Sequence, residues 1–388
     1  MKDNGVPLKN GKGLEVWLEK QTDTSFPKHY SDKCVMPYPE RYNCFKKALS
    51  PIHNNVGKGA MAAGACEWME KTKAIIRGTV DIDEKNRLLD QLIQNDPIVH
   101  LNNHGQEHVA KVIDKVSEML RFFDRGHLTP YEGFLLLCAI QVHDVGNVFG
   151  RGEHEKRCKE ILEKEGKPFI PDAIERRVIE KLASVHGGSI NGERNTIDLL
   201  TSSKTLNDRR LRKTLLAALL RFGDELADDS SRADHDGLEQ GTILEGSRIY
   251  HRYSQALHTV KIVRDSEFEK TQLHLSYEFD SDIANQVFKK YGENKYLLDE
   301  IYDRTLKMER ERRYCMRFLR PYISLDEIRV EIVIQHAKNT FISDKIQYTL
   351  KENGYPSYPA SKCIKEFMSN IRSGEEEKQY LRKEWCLS

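Results

Sequence analysis

The chain has 388 residues, room for about two or three domains at roughly 150 residues each and for a substantial core. Its formal net charge is +1 with 31% charged residues, which excludes the bulk basic field of a non-specific nucleic-acid binder and leaves any nucleotide contact to be local. The eight cysteines are scattered without a CxxC pair, which argues against a zinc ribbon or a dense disulfide framework and for reduced thiols.

Three composition regimes follow one another. Residues 1–55 are rich in Pro, Tyr, Asn and Lys with weak periodicity and read as an irregular N-terminal arm; MKDNGVPLKNGKG lacks the apolar core of a secretion signal, so a cytoplasmic protein is expected. Gly57, Gly59 and Gly64 in VGKGAMAAGA fit no phosphate-loop spacing, and no strand precedes them. Residues 56–246 carry a helical period almost throughout, and residues 247–388 read as a smaller C-terminal α+β module. The fold class is therefore mainly α, a helical bundle with an α+β extension.

Within the helical regime, Val109, Val112, Ile113, Val116, Met119, Leu120 and Phe123 form one apolar stripe, with His108 near its start and His104 on the same face. The next helix begins at Thr129 as N-cap, with Pro130 at its first position and Glu132 as capping-box partner, and ends at His143, Asp144 and Gly146. Its run from Phe134 to Ile140 is the longest apolar stretch, far short of the ~18 residues of a membrane span. Pro171 opens a third helix, and Gly187 and Gly188 end it, placing His186 in its last turn. A fourth, from about 208 to 229, is apolar over Leu215 to Leu220 before Asp224. An acidic side chain directly after so apolar a run is costly unless something positive meets it.

Beyond residue 247 the period changes to two. Ile249, Tyr253, Val260, Ile262 and Val263, then Leu273, Leu275, Tyr277 and Phe279, suggest a hairpin around RDSEFEK. A long charged helix of about 294–319 follows, stopped by Pro321, and Ile328, Val330, Ile332 and Ile334 alternate as a further strand. Lys307, Arg310, Arg312, Arg313, Arg317 and Arg320 on the helix, with Tyr314 and Phe318 interleaved, form a basic row suited to gripping a polyphosphate or oligonucleotide, but Glu309 and Glu311 nearby make a solvated face the commoner explanation. Single-stranded nucleic acid stays open as a partner. His127, His235, His251, His258, His274 and His336 read as core or surface residues.

Imidazole and carboxylate ligands from several helices suit Mn²⁺, Fe²⁺, Zn²⁺ or Co²⁺, and Mg²⁺ also belongs to the candidate divalent ions; a carboxylate beside a His can bridge two. Such ions lower the pKa of bound water and neutralise phosphoryl oxygens, which points to hydrolysis of phosphate esters or anhydrides. The segments NNHGQEHVAKVIDKVSEML, TPYEGFLLLCAIQVHDVGN, IPDAIERRVIEKLASVHGG and LRKTLLAALLRFGDELADD together resemble the HD-domain metal-dependent phosphohydrolase superfamily, named for a His-Asp doublet that falls here on His143 and Asp144.

The resemblance covers residues of about 100–235 and carries the metal ligands onto His108, His143, Asp144 and Asp224. It implies that His154 and His186 serve a second metal or proton transfer, and that Asp144 takes part in catalysis. VGNVFGRGEH departs from the nucleotide triphosphohydrolase pattern, which places a His-rich turn directly after the doublet. Arg151, Arg221 and Arg232 lie near predicted ligands and suit bidentate phosphate contacts.

The whole chain most resembles HD proteins of bacterial conflict and antiphage systems and deoxynucleoside triphosphate triphosphohydrolases. That implies one or two divalent ions, a nucleotide substrate, a nucleotide effector and a homo-oligomer. The alternatives are a phosphodiesterase or nuclease acting on cyclic or oligonucleotides, since the same two-metal chemistry cleaves diesters, and a non-catalytic nucleotide-sensing module.

Overall fold

The computed structural model describes residues 13–21, 36–54, 105–124, 126–149, 154–187, 190, 193–200, 204–206, 209–265, 270–290, 292–336 and 343–352. The architecture is mainly α with a C-terminal α+β module. The expected glycine segment at 57–64, His104, Arg151 and the tail beyond residue 352 lie outside the described residues.

Helix α1 (Leu14–Glu19) and helix α2 (Tyr38–Asn54) come first, so the N-terminal segment expected to be irregular is helical where it is described. It escapes a periodicity reading because α2 buries polar and aromatic side chains: Tyr38, Arg41, Tyr42 and His53 are buried beside Phe45 and Leu49. Each buried polar group has a partner, as burial requires. Arg41 pairs with Glu175 at 2.6 Å, both almost wholly buried, donates to the Phe169 carbonyl at 2.9 Å and stacks 4.6 Å over the Phe134 ring.

Helix α3 (Gln106–Arg121) turns its predicted stripe inward. Helix α4 (Pro130–Val142) is buried at every residue from Tyr131 to Val142, as a helix apolar all round must be, and it touches α1, α2 and α3. A short 3₁₀ turn follows at Val145–Phe149, then helix α5 (His154–Ile161), one π turn at Leu162–Gly166, and helix α6 (Ala173–Ser184), which also packs on α4. A two-stranded ribbon, β1 (Lys204–Leu206) and β2 (Arg209–Leu211), leads into helix α7 (Lys213–Leu226). The predicted fourth helix thus starts later than expected, because its first residues pair as a ribbon.

Helices α4 and α7 are tied at one end and carry site residues at the other. The capping box forms: the Glu132 amide donates to Thr129 Oγ1 at 3.2 Å, and the Thr129 amide donates to Glu132 Oε2 at 3.1 Å. The same carboxylate accepts from Arg212 Nε at 2.9 Å and from Arg212 NH2 at 2.5 Å, at the N-cap of α7. Eleven residues separate Glu132 from His143 and twelve separate Arg212 from Asp224, so two helices started level end level, about 17 Å further on.

Helices α8 (His235–Gln240) and α9 (Glu245–Ala256) lead to the module. Ile249 and Tyr253, expected in a strand, lie buried in α9; their spacing of four belongs to a helix face. Strands β3 (Leu257–Asp265) and β4 (Lys270–Asp280) form the expected antiparallel hairpin. Helix α10 (Ser281–Ala284), a ribbon of β5 (Phe288–Lys290) and β6 (Glu293–Lys295), and the long helix α11 (Leu297–Leu319) then bring the chain to β7 (Glu327–Gln335), which runs parallel to β4. Strand β8 (Ser343–Lys351) closes the sheet antiparallel to β7, giving the order β3-β4-β7-β8. Alternate residues such as Leu273, Leu275, Tyr277, Val330, Ile332 and Ile334 are buried, and one hydrophobic cluster runs from Leu14 through the bundle to Leu350. No described helix is long and apolar enough to cross a membrane.

Candidate metal centre

The ends of three helices and the start of a fourth converge on one point. His108 lies in the first turn of α3, His143 caps α4, Asp144 follows it, Asp224 sits in the last turn of α7, and His186 stands two residues beyond α6. Helix ends leave carbonyls without intrahelical partners, and two imidazoles use them. His143 Nδ1 donates to the Ile140 carbonyl at 2.7 Å, and His186 Nδ1 donates to the Ala183 carbonyl at 2.5 Å. A carbonyl only accepts, so Nδ1 carries the proton, and each ring faces the centre with Nε2.

Around that point His108 Nε2 lies 3.0 Å from Asp224 Oδ1 and 3.5 Å from Asp144 Oδ2. His143 Nε2 lies 3.4 Å from Asp144 Oδ2 and 3.5 Å from Asp224 Oδ1. His186 Nε2 is 3.6 Å from the other Asp144 oxygen, Oδ1, and its ring meets the His143 ring edge-on at 5.0 Å. His108, His143, Asp144 and His186 are buried, whereas the Asp224 side chain stays 25% exposed. Access therefore comes from the Asp224 side.

Ligand atoms of His108, His143, Asp144 and Asp224 all lie within 4.8 Å of one another. His143 Nε2 is buried without a hydrogen-bond partner among the described residues, an orphan that a metal ion would satisfy. Two carboxylates held among three imidazoles also form a donor set that Mn²⁺, Fe²⁺, Co²⁺ or Zn²⁺ accepts. The residues present fit a divalent ion.

Proton equilibria show the same demand for positive charge. Burial alone would lower the His143 imidazole, yet the negative charges of Asp144 and Asp224 raise it well above its usual value. Burial would raise the Asp224 carboxyl, but His108 and His143 hold it well below the carboxylate range. His108 is pushed down by burial and then by the positive charge of Arg232, which outweigh Asp224 and Asp144.

The positive charge of Arg232 is felt at His108. Arg232 closes a 3₁₀ turn at Ser230–Arg232, with NH1 3.8 Å from Asp228 Oδ1. Arg221 is committed elsewhere: Nε and NH2 hold both Glu311 oxygens at 2.6 and 2.8 Å, NH1 reaches Thr196 Oγ1 at 2.8 Å, and Tyr314 stacks at 4.7 Å. His154 opens α5, while its side chain and Arg151 lie outside the described residues.

Asp228 was missed by sequence reading. It is buried, accepts from Ser254 Oγ at 3.1 Å, and its Oδ2 lies 3.9 Å from Arg304 NH1 on α11. The available signal was its place four residues after Asp224 in GDELAD. The Ile140 and Ala183 carbonyls, which set both tautomers, are backbone groups with no sequence signal.

Residues 98–307 match the protein-family model described as HD-CE, which takes in the centre and runs through the β3–β4 hairpin into α11. No curated protein matches the chain.

Proposed function

The chain belongs to the HD-CE family, and on that premise we propose that it is a metal-dependent phosphohydrolase acting on nucleotides, with triphosphate release from deoxynucleoside triphosphates as its leading reaction. The observation that carries this reading is the buried convergence of His108, His143, Asp144 and Asp224, with His143 Nε2 left for a ligand. A divalent ion bound there would activate water as nucleophile and offset charge on the phosphoryl oxygens.

The side chains then have separate roles. His108, His143, Asp144 and Asp224 hold the ion. Arg232, paired with Asp228, supplies a guanidinium suited to a phosphate. His186 approaches Asp144 Oδ1, whereas His108 and His143 approach Oδ2, a placement suited to a second ion or to proton delivery to the leaving group. A two-ion site also supports the second reading, hydrolysis of phosphodiesters in cyclic or oligonucleotides. On the resemblance alone we extend the proposal to a homo-oligomer, regulated by a nucleotide effector, that depletes nucleotides in antiphage defence.

The test is hydrolysis of all ribo- and deoxynucleoside triphosphates, cyclic dinucleotides and single-stranded DNA with Mn²⁺, Co²⁺ or Mg²⁺, comparing wild type with Asp144→Ala. Triphosphate release lost in the variant supports the leading reaction. Cleavage of diesters alone replaces it with the second reading, and inactivity of metal-loaded protein across the panel rejects both.

A further inference from the structure

We propose that a pocket of about 360 Å³ between α3, the end of α7 and strand β3 binds the nucleoside portion of the substrate, so that the C-terminal module reads base and sugar while the metal centre handles phosphate. The inference rests on the nucleotide hydrolase reading above.

The pocket continues the metal centre along two elements. Lys111 and Lys115 line it from α3, three and seven residues after His108 and so on the same helical face. Asp228 and Asp229 line it from the segment that follows Asp224. The pocket therefore begins about one helical turn, roughly 5 Å, from the metal ligands. Its far wall is Thr259 to Lys261 of β3.

The lining chemistry suits a neutral polar group. Three ammonium groups, Lys111, Lys115 and Lys261, face three carboxylates, Glu118, Asp228 and Asp229. Most are engaged with one another: Lys111 pairs with Asp229, and Lys115 donates to Glu118 Oε2 at 3.0 Å and to the Val260 carbonyl. A cavity with balanced charge offers donors and acceptors without a field for a further phosphate, which matches sugar hydroxyls and base edges. Leu226 and Val260, both buried, form the apolar backing of the lining. The volume falls at the lower end of the ~300–1,000 Å³ of small-molecule sites.

Thr259→Trp fills the pocket from an exposed position on a strand that pairs only with β4. In the full chain with Mn²⁺, KM for the nucleotide substrate should rise about tenfold or more while kcat stays within about twofold, the pattern of lost substrate binding. Hydrolysis of inorganic tripolyphosphate and p-nitrophenyl phosphate, which lack a nucleoside, should be unchanged and reports that the variant is folded. Adenosine, guanosine, cytidine and thymidine, with their deoxy and ribo counterparts, are then tested by saturation-transfer NMR on metal-free protein. At least one should bind wild type, lose binding in Thr259→Trp, and compete with the nucleotide in the hydrolysis assay.

Equal loss on substrates with and without a nucleoside overturns the proposal. So does non-competitive behaviour of a bound nucleoside, which would make the pocket an effector site, and so does absence of nucleoside binding by wild type. Nucleoside binding that the variant abolishes, in a wild type that hydrolyses no nucleotide, rejects the hydrolase reading and keeps the pocket.

Discussion

Gly223 stands beside Asp224 where α7 packs against α3, and Gly223→Ala probes whether that packing sets the geometry of the centre. A Cβ there would lie 2.6 Å from Val116 Cγ2, with Met119 Cε and the Val112 carbonyl at 3.6 Å. Reaching ordinary contact requires a shift of about 0.8 Å, and Val116 is fully buried with nowhere to swing. Overpacking of this kind costs about 1–3 kcal/mol. The gain in helix propensity from Gly to Ala returns at most about 1 kcal/mol.

The net is a destabilisation of about 0–2 kcal/mol, a fall of several degrees in Tm at most, so the variant stays folded. The larger effect falls on the centre. Metal ligands tolerate displacements of about 0.2 Å, and α7 moving by a fraction of the 0.8 Å takes Asp224 away from His108. Mn²⁺ affinity should drop about 10- to 100-fold, the range for groups that support metal ligands. Isothermal titration with Mn²⁺ beside a thermal melt measures both. Wild-type Mn²⁺ affinity at an unchanged or higher Tm would refute the reasoning.

Four further outcomes follow from the geometry. Arg41→Met leaves Glu175 buried and uncompensated and should cost about 3–5 kcal/mol in urea unfolding, with much of it recovered in Arg41→Met/Glu175→Leu; a loss below about 1 kcal/mol would contradict the burial of the pair. Metal binding should release a proton near pH 7, because His143 in the metal-free site is raised well above its ordinary value and must lose that proton to become a ligand; calorimetry in buffers of different ionisation enthalpy reads it, and buffer-independent enthalpy would argue against it. In metal-free protein, the Asp224 carboxyl is depressed, so its contribution to stability is complete above the ordinary Asp range near pH 4 and is lost as pH falls through its lower folded value; His143 has the opposite sign, contributing fully below about pH 6.5 and losing its contribution as pH rises through its raised value. Tm against pH should show both flanks, and a flat acidic flank would count against the Asp224 assignment. Saturation with Mn²⁺ at about 100 times Kd should add about 2.7 kcal/mol, removed by chelator and absent in Asp224→Ala.

The four residues that converge were legible because each stands where a helix with an apolar face or core begins or ends, and the Thr129 capping box and the His143-Asp144 doublet announce their positions in a short stretch of chain. The long helix and the β3–β4 hairpin were legible for the same reason, an unbroken period. Helix α2 was not, because its inner face of Tyr38, Tyr42, Phe45 and Leu49 is half tyrosine and is mixed with the buried polar Arg41 and His53, which blurs the apolar period. Strand β8 reads SDKIQYTLK, with Ile346, Tyr348 and Leu350 turned inward, and its identity comes from pairing with β7. The tie between Glu132 and Arg212, the carbonyls that fix His143 and His186, and the place of Asp228 between Arg232 and Arg304 are long-range or backbone facts. Arg221 shows the converse: three residues from Asp224 in sequence, it is spent on Glu311 and Tyr314.

Occupancy of this centre and hydrolysis should be one event. Mn²⁺ is titrated into metal-free protein, with free Mn²⁺ followed by electron paramagnetic resonance and triphosphate release from deoxynucleoside triphosphates followed in the same samples. Binding and hydrolysis should rise and saturate together, and both should disappear in Asp144→Ala. A saturated site that hydrolyses no nucleotide, or hydrolysis that persists in chelator, would contradict it.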